Sequence, residues 1–110
     1  MSRSDDQRVQ DILDAADEVL DIAKVGQDAW DKDRLRQLAT ERLLEIVGES
    51  ANSLTDEFRA RHPAVPWRDI IGLRIVLAHH YHRVDPRQVW IIATRELPLL
   101  AAQLRSARDN

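Results

Sequence analysis

The chain has 110 residues, enough for one domain with a modest core, and no cysteine, which excludes disulfides and thiolate chemistry. Its formal net charge of −3 argues against indiscriminate binding to nucleic acid, and no apolar run approaches the roughly 20 residues of a membrane span. The polar stretch Met1–Gln10 does not read as a secretory signal, so a soluble protein of a reducing cytoplasm is expected.

In chain order the sequence predicts helices and no strand. Ser4 with Gln7 forms a capping-box pattern, after which Val9, Ile12, Leu13, Ala16, Val19, Leu20 and Ala23 recur at helical spacing, so a first helix spans about Asp5 to Ala23. Gly26 to Asp33 reads as a polar connection. Leu35, Leu38, Leu43, Leu44, Ile46, Val47, Ala51 and Leu54 keep the same period and predict a long second helix. Gly48 lies inside it, where glycine costs about 1 kcal/mol relative to alanine, which points to a close helix approach at that position.

Thr55 caps a short segment, Asp56 to Arg61, that Pro63 ends. Pro66 suits the first turn of a further helix, and Asp85-Pro86 repeats that start signal. The last helix carries Val89, Trp90, Ile92, Ala93, Leu97, Leu100, Ala101 and Leu104, with Pro98 expected to kink or break it. Ser106 to Asn110 reads as a frayed tail. Each helix has one apolar stripe to bury, so the expected fold is all-α, an up-and-down bundle of four to five helices in one domain spanning residues 1–110.

Charge is divided unevenly along the chain. Residues 1–58 carry 15 Asp and Glu against 7 Lys and Arg; residues 59–110 carry 4 against 9, and all nine are arginine. Either these are ordinary solvated helix faces, or arginines around Arg74 form a surface for a polyanion backed by an acidic opposite side.

The stretch Gly72–His82 sets Arg74, His79, His80, Tyr81 and His82 on one predicted helix. Arginine keeps its charge near neutral pH and histidine titrates there, so the pair can hold a phosphate and move protons. At about 100° per residue Ile70, Leu73, Val76, Leu77 and His80 share the arc expected to enter the bundle, whereas His79 lies ~140° round from Arg74. Such a separation suits a cleft shared across a two-fold axis better than a site on one straight helix. His80 reads as a hydrogen-bonded core or interface histidine, and Tyr81 has an ordinary alternative at the core edge. His79 and His82 could present two imidazoles to a divalent metal with Asp85 the near third ligand, but no metal is expected. Trp67 and Trp90 read as core anchors, and Glu45 with Glu49 as surface carboxylates that pair with arginine.

The spacing of Arg74, four residues, His79, one residue, Tyr81 resembles the signature of the HEPN ribonucleases, specifically the HepT-like toxins. Leu43-Leu44-Glu45-Ile46-Val47-Gly48-Glu49-Ser50-Ala51 is similar to that family's "LEIIGEAA" helix, and the run His62 to Arg74 to its "HPEIPWREIIGMR". Val84-Asp85, Val89-Trp90 and Glu96-Leu97-Pro98 follow in the family's order, so the resemblance covers roughly residues 8 to 105. It implies a bundle that dimerises through the motif helix and a metal-independent endoribonuclease without cofactor. It implies the toxin half of a type VII-like toxin–antitoxin pair, acting on RNA and not on DNA or a membrane.

Carried over, His79 is the acid–base residue, Arg74 holds the scissile phosphate, and Tyr81 is the tyrosine that a minimal nucleotidyltransferase antitoxin modifies with AMP. One position departs from the pattern: Ile75 follows Arg74 where the family usually has a polar residue. That departure favours the competing reading, a non-catalytic helical dimer binding a partner protein or nucleotide on the same fold.

Overall fold

The computed structural model describes residues 4–79 and 84–109, with the backbone alone at 78, 79 and 109. The described residues are helical with no strand, as the periodicity requires. The helices are α1 (Asp5–Ala23), α2 (Gln27–Asp31), α3 (Arg34–Asn52), α4 (Asp56–Arg61), α5 (Trp67–His79), α6 (Pro86–Ile91), a π segment (Ile92–Glu96) and α7 (Leu97–Asp109).

The start signals act as their chemistry predicts. Ser4 and Gln7 close a reciprocal capping box on α1. Thr55 and Asp85 accept the first free N–H groups of α4 and α6, which would otherwise lack partners. The helix containing the motif begins one residue later than expected: Pro66 stands outside α5 and its carbonyl accepts the Ile70 N–H.

The long helix α3 lies at the centre, packed along both α1 and α5. Polar ties set their directions. The Asp5 carboxylate accepts both the Thr55 N–H (2.9 Å) and its hydroxyl (2.7 Å), fastening the start of α1 to the start of α4. Burial would raise the Asp5 pKa, but those Thr55 bonds, with Arg61 and Arg59 nearby, bring it below its ordinary value. Arg59 reaches the Ala51 and Asn52 carbonyls, and the Trp67 indole N–H reaches those of Arg59 and His62. The short α4 is thereby locked as the bend that sends α5 back along α3. Asp17 and Asp6 on α1 pair with Arg105 and Arg108 on α7, each at 3.1 Å, so α7 is antiparallel to α1.

Val9, Ile12, Val19, Leu44, Val47, Val89 and Leu104 form the centre of one core, each at most 2% exposed. Trp67 and Trp90 pack against it half-buried, in the anchoring role expected of them. Other apolar positions do not follow the expected stripes. Leu20, Leu35 and Leu38 are exposed, as is Val76 on α5. The reason for α5 is geometric: α3 meets it along Ile70, Arg74 and Leu77, a narrower line than an evenly covered stripe, which leaves Val76 to one side.

Two other expectations need correction. The connection Gly26–Asp33 contains the short helix α2, which delivers Trp30 into the core at 1% exposure. Its indole N–H donates to the Thr40 hydroxyl, its ring lies 5.3 Å from that of Trp90, and the Gln37 amide donates to the carbonyls of Trp30 and Asp31. Of the two outcomes expected of Pro98, a kink or a break, the break does not occur: the helix runs on through Leu97–Asp109. Proline lacks the N–H that would bond the Thr94 carbonyl and its ring would strike that carbonyl. The chain widens ahead of it instead, with the Leu97 N–H bonding back five residues to the Ile92 carbonyl.

Candidate functional site

The site is built on α5 where it crosses α3. Gly48 is buried at the crossing, and a Cβ placed on it would stand 2.8 Å from the Arg74 amide nitrogen, 3.0 Å from the Ile70 carbonyl oxygen and 3.2 Å from the Arg74 Cβ. The close approach expected at Gly48 is present, and its counterpart is the motif arginine. Gly72 on α5 has nothing within 4 Å of such a Cβ, so the two glycines do different things.

Arg74 is half-buried. Its Nε has no solvent exposure and no hydrogen-bond partner, and Arg74 makes no ion pair with any described residue. Most arginines elsewhere are committed. Arg42 pairs with Glu45 at 2.8 Å and Glu49 at 3.6 Å, the role foreseen for those carboxylates; Arg36 pairs with Asp33 and Arg105 with Asp17. A guanidinium carries five donors in a planar fork, and Arg74 spends none of them on the described residues.

His79 is the last residue of α5, five positions beyond Arg74 and about 140° round the helix axis. The structure therefore carries both positions on one helix without placing them on one side of it. Ile75, between them in sequence, is 48% exposed and Val76 is 50% exposed. His80, Tyr81 and His82 lie outside the described residues. Asp85, weighed as a third metal ligand, is occupied as the cap of α6. Among the described residues no group of three or more His, Asp or Glu is arranged to hold a metal ion.

On α3, Glu41 stands seven residues before Gly48, hence only about 20° from it and on the face turned toward α5. Burial raises its pKa above the ordinary value, and Arg34 at 3.9 Å offsets this only in part. A carboxyl whose folded pKa is raised costs stability at pH 7, and the cost vanishes as pH falls below its unfolded value of 4.5. Glu41→Gln is accordingly expected to raise the urea midpoint at pH 7, with the gain shrinking as pH falls toward 4.5 and gone below it. A midpoint unchanged or lowered at pH 7 would show that the Arg34 pair outweighs desolvation.

The sequence did not foresee the groove of about 510 Å³ beside the motif. It lies between the first half of α5 and the π segment with α7, floored by Val47 and lined by Ile70, Leu73, Ile92 and Leu100, with Asp69 and Glu96 at its rim. Arg74 is not part of it. No described helix is long and apolar enough to cross a membrane.

The fold and this site define an all-α bundle whose penultimate long helix carries an arginine uncommitted to any described residue, four intervening residues before a histidine. The ribonuclease HepT-like family profile matches residues 12–107, and the chain belongs to that family, within the HEPN superfamily. It is 30% identical over 95 residues to a Methanocaldococcus jannaschii protein named "Putative RNase", covering 86% of this chain and 87% of that one. It is 40% identical over 74 residues to a Caldanaerobacter subterraneus protein of the same designation, covering 67% of this chain and 66% of that one. A Thermococcus cleftensis protein named "Probable ribonuclease HepT" is 29% identical over 109 residues, 98% of this chain and 99% of its own. No solved structure matches the chain.

Proposed function

We propose that this protein is a metal-independent endoribonuclease, the toxin of a pair whose antitoxin is a minimal nucleotidyltransferase. The observation that carries the reading is Arg74, uncommitted to any described residue and set on the helix that ends in His79. Its physical sense follows from RNA chemistry. The His79 imidazole takes the proton of a ribose 2′-hydroxyl, the oxygen attacks the adjacent phosphorus, and the 5′-oxygen leaves with a proton returned by an imidazolium. Arg74 holds the non-bridging oxygens and stabilises the charge that grows on them. The products are a 2′,3′-cyclic phosphate end and a 5′-hydroxyl end.

The exposed pair Ile75 and Val76 supports a homodimer seam along α5, in which two copies of the motif helix line one cleft. In this reading Tyr81 is where the antitoxin attaches AMP. A bulky anion close to Arg74 would occupy the cation and repel RNA. Glu45 and Glu49 take no part in the chemistry, being bound to Arg42.

The test is cleavage of varied RNAs by the unmodified dimer in EDTA, with the ends identified. Cleavage to 2′,3′-cyclic phosphate ends is expected. A folded, dimeric, unmodified protein that cuts none of them would overturn the ribonuclease reading. It would favour the second one, a non-catalytic dimer holding a partner protein or nucleotide, to which the exposed Ile75 beside Arg74 already lends weight.

A further inference from the structure

Gly48 faces the proposed phosphate-binding residue more closely than any side chain would allow. A Cβ there would lie 2.8 Å from the Arg74 nitrogen and 3.2 Å from the Arg74 Cβ, and the third neighbour, at 3.0 Å, is the Ile70 carbonyl oxygen. Two of these three contacts are to backbone, which cannot turn aside as a flexible side-chain tip can. The gap left by the missing methyl is where the Arg74 stem begins, and its Nε ends sealed from solvent. A long side chain loses less entropy on gripping an anion when its stem is already held.

We propose that Gly48 is a positioning residue for Arg74: the space it leaves on α3 lays down the arginine stem and so fixes where the guanidinium emerges from α5. The inference rests on the ribonuclease reading, in which Arg74 meets the scissile phosphate. A methyl at position 48 forces α5 outward by tenths of an ångström and turns the Arg74 stem against its own helix. An error on the order of 1 Å in a catalytic group can cost a hundredfold in rate. An outward shift of tenths of an ångström is small beside the spacing of packed helices, so the variant is expected to stay folded.

The experiment compares Gly48→Ala with Gly72→Ala, which adds the same methyl to α5 where nothing lies within 4 Å. Binding of a fluorescent, fully 2′-O-methylated oligoribonucleotide, which cannot be cleaved, is measured for both variants, for Arg74→Ala and for Gly48→Ala/Arg74→Ala. Gly48→Ala is expected to weaken binding several-fold, Gly72→Ala to leave it unchanged, and the double variant to bind no worse than Arg74→Ala. Equal and additive losses would mean that Gly48 acts through general packing and would overturn the proposal. A Gly48→Ala protein that fails to fold by circular dichroism would also overturn it. The reaction rate of Arg74 with phenylglyoxal, followed by mass spectrometry, needs no RNA. A rate changed in Gly48→Ala and not in Gly72→Ala supports the positioning even if the wild type binds no RNA, an outcome that counts against the ribonuclease reading alone.

Discussion

His79→Ala is expected to abolish RNA cleavage, a loss on the order of a hundred- to ten-thousandfold for a general acid–base group, while the melting temperature stays where it was. The second half of that expectation comes from the fold. Among the described side chains of α5 the core residues are Ile70 and Leu77, and position 79 lies beyond them. Alanine is the strongest helix former, so helix propensity does not oppose the change. Cleavage assays with circular dichroism on the same preparations check both halves. Retained cleavage would remove His79 from the chemistry; a collapsed melting temperature would make it a structural residue. The Arg74→Ala variant separates the two roles further, since losing the phosphate contact should weaken RNA binding, whereas losing the imidazole should leave binding intact and stop turnover.

Trp30→Ala is expected to cost about 3–5 kcal/mol, the range for emptying a buried tryptophan site. That is a large share of the roughly 5–15 kcal/mol that holds a typical domain together. Trp30 is the largest fully buried side chain among the described residues, and it joins α2 to α3 and α6 at once. Its removal leaves a void beside Trp90 and takes a donor from Thr40, which keeps its own bond to the Arg36 carbonyl. Trp30→Phe loses the N–H and part of the ring volume, so its cost should exceed the roughly 1 kcal/mol of one hydrogen bond yet stay below that of Trp30→Ala. Urea unfolding monitored by circular dichroism measures both. A Trp30→Ala cost below that of Trp30→Phe would refute the anchoring role.

The residues that made the fold legible are those whose signals are local. Ser4, Thr55 and Asp85 are caps in the sequence and caps in the structure, because a cap needs only the next three residues. Gly48 was legible because a glycine in mid-helix is costly unless something occupies the place of its side chain. What the sequence could not say was that the occupant is the backbone of Arg74, 26 positions and two bends further along the chain. The α2 helix was illegible for the opposite reason. Five residues show no periodicity, and what fixes Trp30 is supplied by Thr40 and Gln37 from the next helix. Leu35 and Leu38 read as core by spacing alone, yet the fold leaves them exposed. For the site, the arginine–histidine spacing was legible and the burial of the Arg74 Nε was not, since it depends on the α3 crossing.

The widened turn before Pro98 has a consequence for helical phase. Val89, Ala93 and Leu97 are all buried, at successive intervals of four residues. On a uniform α-helix at about 100° per residue, Val89 and Leu97 would stand about 80° apart, and one of them would leave the core. The wide turn between Ile92 and Glu96 absorbs that drift, so that the stripe of α6 continues into Leu100, Ala101 and Leu104 without a break. The segment thus acts as a phase corrector. A chain shortened by one residue there would recover regular geometry with the two stripes only about 20° out of phase, whereas a regular helix of the present length would carry the α7 stripe about 80° off its seat.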